Sequence, residues 1–116
     1  MHKSGASGSL FVYGSLMQPD LRRRLLGREV AAQPAYLRDF ERRRGRYFYV
    51  ERKPGTVVEG HILSPLTADE LCALDRYEEA PRLYTRRRLT VHERDGRARR
   101  AWVYLPTRLL LDRTVA

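Results

Sequence analysis

Apolar residues occur along the chain either in short continuous or alternating runs, which predict strands, or three to four residues apart, which predicts helices. Residues 10–13, Leu-Phe-Val-Tyr, form a continuous apolar run that ends at Gly14, which is typical of a buried strand followed by a tight turn. Leucines at 21, 25 and 26 follow at helical spacing between a proline and a glycine. The pattern therefore predicts a short helix over residues 19–27.

The middle of the chain has strand-like patterning with interruptions. Residues 30–63 are predicted to be β-rich, with strand candidates at 47–50 and 57–63. The Pro-Gly pair at 54–55 predicts a turn between them, and Gly60 is typical of a bulge or a close backbone approach. Further along, Asp95-Gly96 predicts the turn of a hairpin formed by residues 84–105.

The clearest helix begins at Thr67. Thr67 and Glu70 have the spacing of a capping box, and Leu71, Leu74 and Glu78 then fall on one helical face. The order of elements is strand, helix, several strands, capped helix and hairpin. This order predicts an α+β domain with a mixed or antiparallel sheet that curls toward a barrel.

The length and composition indicate one domain. The chain has 116 residues, of which 42% are hydrophobic, enough for one packed core. We expect a flexible N-terminal tail over 1–9, the domain over 10–106 and a C-terminal segment over 107–116. The first residues are small and polar with no apolar stretch, and the apolar run at 109–111 is far too short for a membrane span, so we expect a cytoplasmic protein without membrane contact.

The cysteine and histidine content excludes two kinds of site. The single cysteine, Cys72, cannot form an internal disulfide, and we expect it to be a small buried side chain on the capped helix. Three histidines and one cysteine do not provide a zinc-ligand cluster at standard spacing. We therefore expect neither a metal nor another cofactor.

The charge of the chain raises the possibility of nucleic-acid binding. The net charge is +9, arginine triplets occur at 22–24, 42–44 and 86–88, and aromatic residues at 47–49 could stack on bases. No helix-turn-helix, RNA-recognition or zinc-finger pattern accompanies them. The simpler interpretation is that the triplets are solvated, so a basic nucleic-acid binder is an alternative and nucleic acid is not an expected partner.

Glu78 is the first candidate for chemistry, because it is a carboxylate on an apolar helical stripe. The end of a helix and partial burial both disfavour its ionised form and would raise its pKa toward neutrality. A group that accepts and donates a proton at pH 7 needs such a pKa. The more frequent reason for a carboxylate at this position is an ion pair, for example with an arginine of 86–88. We expect Asp75 to be a structural hydrogen-bonding group and Glu79 to be solvated.

The second candidate is the segment Tyr13, Gly14, Ser15 and Leu16. A strand that ends in Gly-Ser before a short helix can turn successive backbone N–H groups inward, where they bind a carboxylate or an oxyanion. Turns of this kind are common, so the motif alone does not identify a site.

Together the two features resemble the gamma-glutamyl cyclotransferase-like family, close to its plant avirulence-induced-gene-like branch. Residues 10–16, Leu-Phe-Val-Tyr-Gly-Ser-Leu, resemble the family's aromatic-Val-Tyr-Gly-Ser/Thr-Leu signature. Residues 74–78, Leu-Asp-Arg-Tyr-Glu, and 84–86, Tyr-Thr-Arg, resemble its Leu-Asp-x-aromatic-Glu-Gly…Tyr-x-Arg signature. The resemblance covers residues 10–105 and implies a small mixed α+β barrel with about two short helices.

The resemblance also implies a reaction without a cofactor. In it, the α-amine of a γ-glutamyl group attacks its own side-chain amide carbonyl, which releases 5-oxoproline and an amine or amino acid. Glu78 would be the catalytic acid/base, and the backbone N–H groups of residues 14–16 would hold the α-carboxylate or the oxyanion. Tyr13 and Tyr84 would form pocket walls, with the Tyr84 hydroxyl available as a hydrogen-bond partner.

The chain departs from the family pattern beside the catalytic position. The family usually has glycine after its catalytic glutamate, whereas this chain has Glu79, and residues 80–83 lengthen the gap to Tyr84. A second carboxylate could raise the pKa of Glu78 further, and both changes affect the expected substrate range. The alternatives are a catalytically inactive small-molecule-binding or interaction domain of the same fold and the nucleic-acid binder. We expect a small γ-glutamyl substrate as partner and a monomer or small homodimer.

Overall fold

Five strands close into a barrel in the computed structural model, which describes residues 8–114. The strands are β1 (Gly8–Val12), β2 (Ala32–Arg44), β3 (Phe48–Leu66), β4 (Tyr84–Glu93) and β5 (Ala98–Pro106). A short 3₁₀ helix (Ser15–Met17) and helix α1 (Pro19–Leu26) follow β1. Helix α2 (Ala68–Glu78) joins β3 to β4, and helix α3 (Arg108–Thr114) follows β5.

The barrel contains both parallel and antiparallel strand pairs. The strand order is β1-β3-β2-β4-β5, and only the pair that closes the barrel, β1 with β5, is parallel among the described strands. Phe11 in β1 pairs with Ile62 in β3 on one side and with Val103 in β5 on the other. The prediction of a small mixed α+β barrel is therefore confirmed.

Alternate residues of β1 serve two apolar cores, which explains the uninterrupted apolar run in the sequence. Phe11 and Tyr13 pack with side chains of the other strands, including Leu37. Leu10 and Val12 point to the opposite face and belong to a cluster with the leucines of α2 and α3. Burial on both faces of β1 fixes the position of the loop that follows it.

The structure differs from the predicted elements in the middle of the chain and adds a helix at its end. The strand β2 was not predicted as such, and the strand candidates at 47–50 and 57–63 fall in one strand, β3, which begins at Phe48. The Pro-Gly pair at 54–55 lies in a bulge of that strand, where the register shifts opposite Asp39. Helix α3 lies in the segment set apart at 107–116, and its Leu110 is fully buried in the core, so this helix packs as part of the domain.

Local signals at the helix ends act as predicted. The Thr67 side chain accepts a hydrogen bond from the Glu70 N–H, and the Glu70 carboxylate accepts one from the Thr67 N–H, which completes the capping box at α2. Gly27 ends α1 in the left-handed conformation at φ 74°. Cys72, by contrast, is exposed on α2, so the prediction that it is buried was wrong.

Gly60 is a point of close backbone approach, as expected. A Cβ atom at this position would lie 2.2 Å from the Val12 carbonyl oxygen, a distance that no side chain tolerates. The absence of a side chain at Gly60 therefore lets β3 pack tightly against the end of β1.

The predicted tail over 1–9 falls largely outside the described residues, although Gly8 and Ser9 begin β1. None of the helices within residues 8–114 has the length and apolar character needed to cross a membrane.

Candidate functional site

A cavity of about 360 Å³ opens beside the end of β1. Its wall includes every residue proposed from the sequence: Tyr13, Gly14, Ser15, Leu16, Glu78 and Tyr84. These residues come from the loop after β1, the last turn of α2 and the first residue of β4. Closure of the barrel thus brings together two motifs that lie about 60 residues apart in the sequence.

Glu78 is a largely buried carboxylic acid without a hydrogen bond or an ion pair among the described residues. Burial raises its pKa from 4.5 to about 7. The alternative of an ion pair with the 86–88 triplet is wrong, because Arg86 binds Asp75 instead. Glu79 points to Arg82, at 2.6 Å between carboxylate oxygen and guanidinium nitrogen, and burial alone accounts for the raised pKa of Glu78.

Glu79 occupies a backbone conformation that favours glycine. It caps the C-terminus of α2 with φ 57° and ψ 46°, in the left-handed region. The glycine that the related signature has after its glutamate would adopt this conformation without steric cost. The chain keeps the backbone geometry that presents Glu78, although it lacks that glycine.

The loop after β1 has backbone N–H groups without an intrahelical acceptor, and its residues line the cavity. The N–H groups of Gly14, Ser15 and Leu16 open the 3₁₀ helix, so no carbonyl one turn earlier is available to them. The carbonyl groups of Gly14 and Ser15 accept hydrogen bonds from Met17 and Gln18, each at 3.0 Å. In a trans peptide, the C=O of one residue and the N–H of the next residue point in opposite directions. The N–H groups of Ser15 and Leu16 therefore point away from the hydrogen bonds that the Gly14 and Ser15 carbonyls accept.

Two arginines hold the carbonyl groups of the same loop from the other side. Arg42 donates to the Tyr13 carbonyl at 2.8 Å, and Arg22 donates to the carbonyls of Leu16 at 3.1 Å and Met17 at 2.9 Å. Charge-assisted hydrogen bonds of this kind contribute about 1.5–3 kcal/mol each. We call these two residues the arginine clamp, since they fix the loop in the conformation that leaves its N–H groups available.

Five tyrosines line the cavity, and three of them donate their hydroxyl proton to another group of the protein. Tyr13 donates to the Tyr104 carbonyl and Tyr84 to the Phe48 carbonyl, both at 2.6 Å. Tyr104 donates to Asp75 at 2.7 Å. The Tyr84 hydroxyl can therefore only accept a hydrogen bond from a ligand, whereas the sequence left open whether it would donate or accept. The fourth, Tyr77, shares a 2.9 Å hydrogen bond with the Ser15 hydroxyl.

Burial raises the pKa of Tyr13, Tyr84 and Tyr104, and the nearby carboxylate of Glu78 raises each of them further. The phenols consequently keep their protons at neutral pH. Glu78 is the group in this wall whose pKa lies near 7, so it is the group that can exchange a proton there.

Asp75 connects the cavity wall to the surface. It receives two hydrogen bonds from Arg86, at 2.7 and 2.9 Å, besides the one from Tyr104. Burial opposes ionisation, but these hydrogen bonds hold the pKa of Asp75 below its ordinary value. Arg86 also lies 4.5 Å from the centre of the Trp102 ring. Asp75 therefore has the structural hydrogen-bonding role that we expected from the sequence.

The arginine triplets are not simply solvated, as the simpler interpretation held. Each triplet has a member that holds another part of the fold: Arg22 and Arg42 form the clamp, and Arg86 binds Asp75. Arg22 is only 6% exposed. Arg23 and Arg43 form exposed ion pairs with nearby carboxylates, so five of the nine triplet arginines have a hydrogen-bond or ion-pair partner within the chain.

Sequence reasoning missed several residues of the cavity wall. Tyr104 comes from the final strand. Four more come from the turn between β2 and β3 and the strand residues on either side of it: Arg44, Arg46, Tyr47 and Phe48. No local motif marks these residues, because the β2–β3 register brings their turn to the cavity. Within residues 8–114, no group of three or more His, Cys, Asp or Glu side chains could hold a metal ion.

Comparison with known proteins identifies the family of this chain. The family model described as gamma-glutamyl cyclotransferase, AIG2-like, matches residues 10–114. A protein from Methanocaldococcus jannaschii described as a gamma-glutamylcyclotransferase and putative RNase is 30% identical over 101 residues, which cover 84% of this chain and 45% of that protein. AIG2-like protein D of Arabidopsis thaliana is 42% identical over 74 residues, which cover 61% of this chain and 49% of that protein. The chain thus spans about half the length of these curated relatives.

A solved structure shows the same fold. The solution structure of an Arabidopsis thaliana protein superposes with a TM-score of 0.81 at 26% identity, and the match covers 99% of this chain and 80% of that one. The family match extends from the first residues of the buried strand to the last helix, and it includes both motifs that form the cavity. This chain belongs to the gamma-glutamyl cyclotransferase family, in its AIG2-like group.

Proposed function

We propose that this protein is a gamma-glutamyl cyclotransferase that uses Glu78 as its acid/base. One observation supports the proposal above the others: an unpaired, largely buried carboxyl group with a pKa of about 7 faces a cavity beside a loop with available N–H groups. An ion pair would have lowered that pKa and removed the group from proton transfer. The substrate class is a γ-glutamyl amide.

The reaction needs proton transfer more than it needs a nucleophile from the protein. Glu78 as carboxylate takes a proton from the substrate's α-ammonium, and the freed amine attacks the γ-carbonyl carbon. A C–N bond forms and the carbonyl oxygen becomes an oxyanion. Glu78 then donates its proton to the leaving nitrogen. As the oxyanion re-forms the carbonyl, the original amide C–N bond breaks, and the regenerated Glu78 carboxylate takes the second proton of the ring nitrogen. That proton passes to the released amine, so the products are 5-oxoproline and the leaving group in its ammonium form. Since nucleophile and carbonyl belong to one molecule, the effective molarity of ring closure supplies much of the rate.

The polar groups of the wall suit the charged groups of a γ-glutamyl substrate. The N–H groups of residues 14–16 bind the α-carboxylate or the oxyanion, as preorganised donors do in other acyl-transfer sites. The hydroxyl oxygens of Tyr13 and Tyr84 have donated their own protons, so they accept hydrogen bonds from the α-ammonium. The arginine clamp acts as a positioning device, because it touches the loop and not the cavity.

The test is a 5-oxoproline release assay with a panel of γ-glutamyl amino acids and γ-glutamyl amines. Glu78→Gln keeps the shape of the side chain and removes the acid/base, so we expect kcat/KM to fall by about 10²–10⁴-fold. Glu79→Gln is the matched control, since it removes an adjacent carboxylate that is paired with Arg82. In the wild type, kcat/KM should rise with pH through about 7, as Glu78 ionises.

Normal turnover by Glu78→Gln would show that the acid/base is another group. If the wild type binds γ-glutamyl compounds but releases 5-oxoproline from none of them, the chain is the inactive binding domain of the same fold, and the enzymatic proposal is wrong.

A further inference from the structure

Two arginines at the mouth of the cavity have no carboxylate partner among the described residues. Arg44 ends β2 and Arg46 lies in the turn before β3, and both are exposed residues of the cavity wall. The Arg44 guanidinium carbon lies 5.1 Å from the centre of the Phe48 ring, which restrains the side chain without neutralising it. Arg43, which precedes Arg44 in β2, pairs instead with Glu41 on the same strand and with Glu51 on β3.

The other charged groups of the wall do not cancel these two charges. Glu79 is already paired with Arg82. Glu78 lies deeper and, with a pKa of about 7, is only partly ionised at neutral pH. The remaining exposed wall residues, Ser15, Tyr47 and Tyr77, carry no charged group at neutral pH. The mouth of the cavity therefore presents an uncompensated positive charge to whatever passes through it.

The part of a substrate that reaches this mouth is its leaving group. The inner wall is closed by Phe11, Leu16 and Leu83, which are 0%, 2% and 2% exposed. With the γ-glutamyl group held between the loop donors and Glu78, the rest of the substrate has to extend outward, toward Arg44 and Arg46. Guanidinium groups bind carboxylates through paired, directional hydrogen bonds.

We infer that Arg44 and Arg46 select γ-glutamyl substrates whose leaving group carries a carboxylate, such as γ-glutamyl amino acids, over γ-glutamyl derivatives of neutral or cationic amines. This inference rests on the proposed function. A carboxylate on the leaving group gains attraction at the mouth, while a second ammonium group meets like charges. The uncharged part of the leaving group plays no role in this discrimination.

The test compares three substrates whose leaving groups differ in charge. These are γ-glutamyl-alanine, γ-glutamyl-isopropylamide, in which a methyl group replaces the carboxylate, and the cationic γ-glutamyl-ethylenediamine. Exposed ion pairs contribute about 0.2–1 kcal/mol each, so two arginines should favour the anionic substrate over the isopropylamide by about 2- to 30-fold in kcat/KM. The preference should shrink when ionic strength rises from about 0.05 M to about 0.5 M.

Charge-removing variants separate this subsite from a general effect of the basic surface. In the double variant Arg44→Gln, Arg46→Gln, the ratio of kcat/KM for the anionic and neutral substrates should approach one. Arg24→Gln removes the same kind of charge from an exposed position outside the cavity, and it should leave the ratio as in the wild type.

The possible outcomes distinguish the inference from the function on which it rests. Turnover of all three substrates without preference, or a preference that survives in the double variant, overturns the inference alone. Release of 5-oxoproline from none of the three overturns the proposed function and the inference with it. A preference that disappears in the double variant and persists in Arg24→Gln supports both.

Discussion

Replacing Glu78 by glutamine should stabilise the folded protein at neutral and alkaline pH, even where it removes activity. The folded state raises the pKa of this carboxyl group from 4.5 to about 7. Between these two values the unfolded chain has released the proton and the folded chain has kept it. Raising the pH therefore favours the unfolded state, and the free energy of unfolding falls through this window.

The size of the effect follows from the two pKa values. A tenfold change in proton affinity corresponds to about 1.4 kcal/mol, so ionising Glu78 lowers the free energy of unfolding by up to about 3 kcal/mol. Most of this loss falls between about pH 5 and about pH 8, where it amounts to about 2–3 kcal/mol. Glutamine does not titrate, so the free energy of unfolding of the variant does not include this loss.

Urea denaturation of the wild type and Glu78→Gln near both pH values measures this difference directly. The two proteins share every other titrating group, so subtraction isolates Glu78. We expect the stability advantage of the variant to grow by about 2–3 kcal/mol from about pH 5 to about pH 8. Glu79→Gln, at an exposed ion-paired site, should show no such growth. An advantage that is equal at both pH values would refute the burial argument for Glu78.

Three further changes test other parts of the structure. Gly60→Ala should destabilise the fold by about 1–3 kcal/mol, since the new methyl group would overlap the Val12 carbonyl oxygen; a thermal melt equal to that of the wild type would contradict the close approach. Glu79→Gly should raise the free energy of unfolding by up to about 1 kcal/mol, because it relieves the left-handed backbone and gives up only an exposed ion pair; chemical denaturation measures this. Asp75→Asn should lower stability by about 1–3 kcal/mol near neutral pH, and this loss should shrink as the pH falls through the lowered pKa of Asp75; a constant loss at all pH values would argue against the ion pair.

The features that could be predicted from the sequence are those fixed by neighbouring residues. The capping box needs only Thr67 and Glu70 at the right spacing, and the end of α1 needs only a glycine at Gly27. The Asp95-Gly96 turn likewise joins β4 to β5, with Gly96 at φ 93°. In each case the chemistry of a few consecutive residues decides the conformation, so a local pattern suffices.

The strand β2 could not be predicted because its own sequence argues against a regular strand. Pro34 lies inside it, where a proline usually indicates an edge or a break. Asp39 adopts φ 66° at a bulge, which shifts the alternation of buried and exposed positions in the second half of the strand. Pairing with β3 along most of its length imposes the extended conformation in spite of these signals.

The candidate site was predictable in part for a similar reason. Glu78 and the loop of residues 13–16 lie in motifs, so the sequence marks them. The arginine clamp and Tyr104 act through contacts between distant parts of the chain; the Tyr13 hydroxyl, for example, bonds a carbonyl 91 residues away. Such contacts depend on the strand order of the closed barrel, which no local pattern specifies.

The parallel pairing of β1 with β5 has a consequence for the order of events during synthesis. The strand that leaves the ribosome first can pair with β3 early, but its other edge has no partner until residues 98–106 have been made. The same late strand carries Tyr104, the acceptor for the Tyr13 hydroxyl and part of the cavity wall. A nascent chain therefore completes its cavity and covers the exposed edge of β1 in a single late step. We expect a chain truncated before β5 to lack the complete cavity and to present a β1 edge open to aggregation.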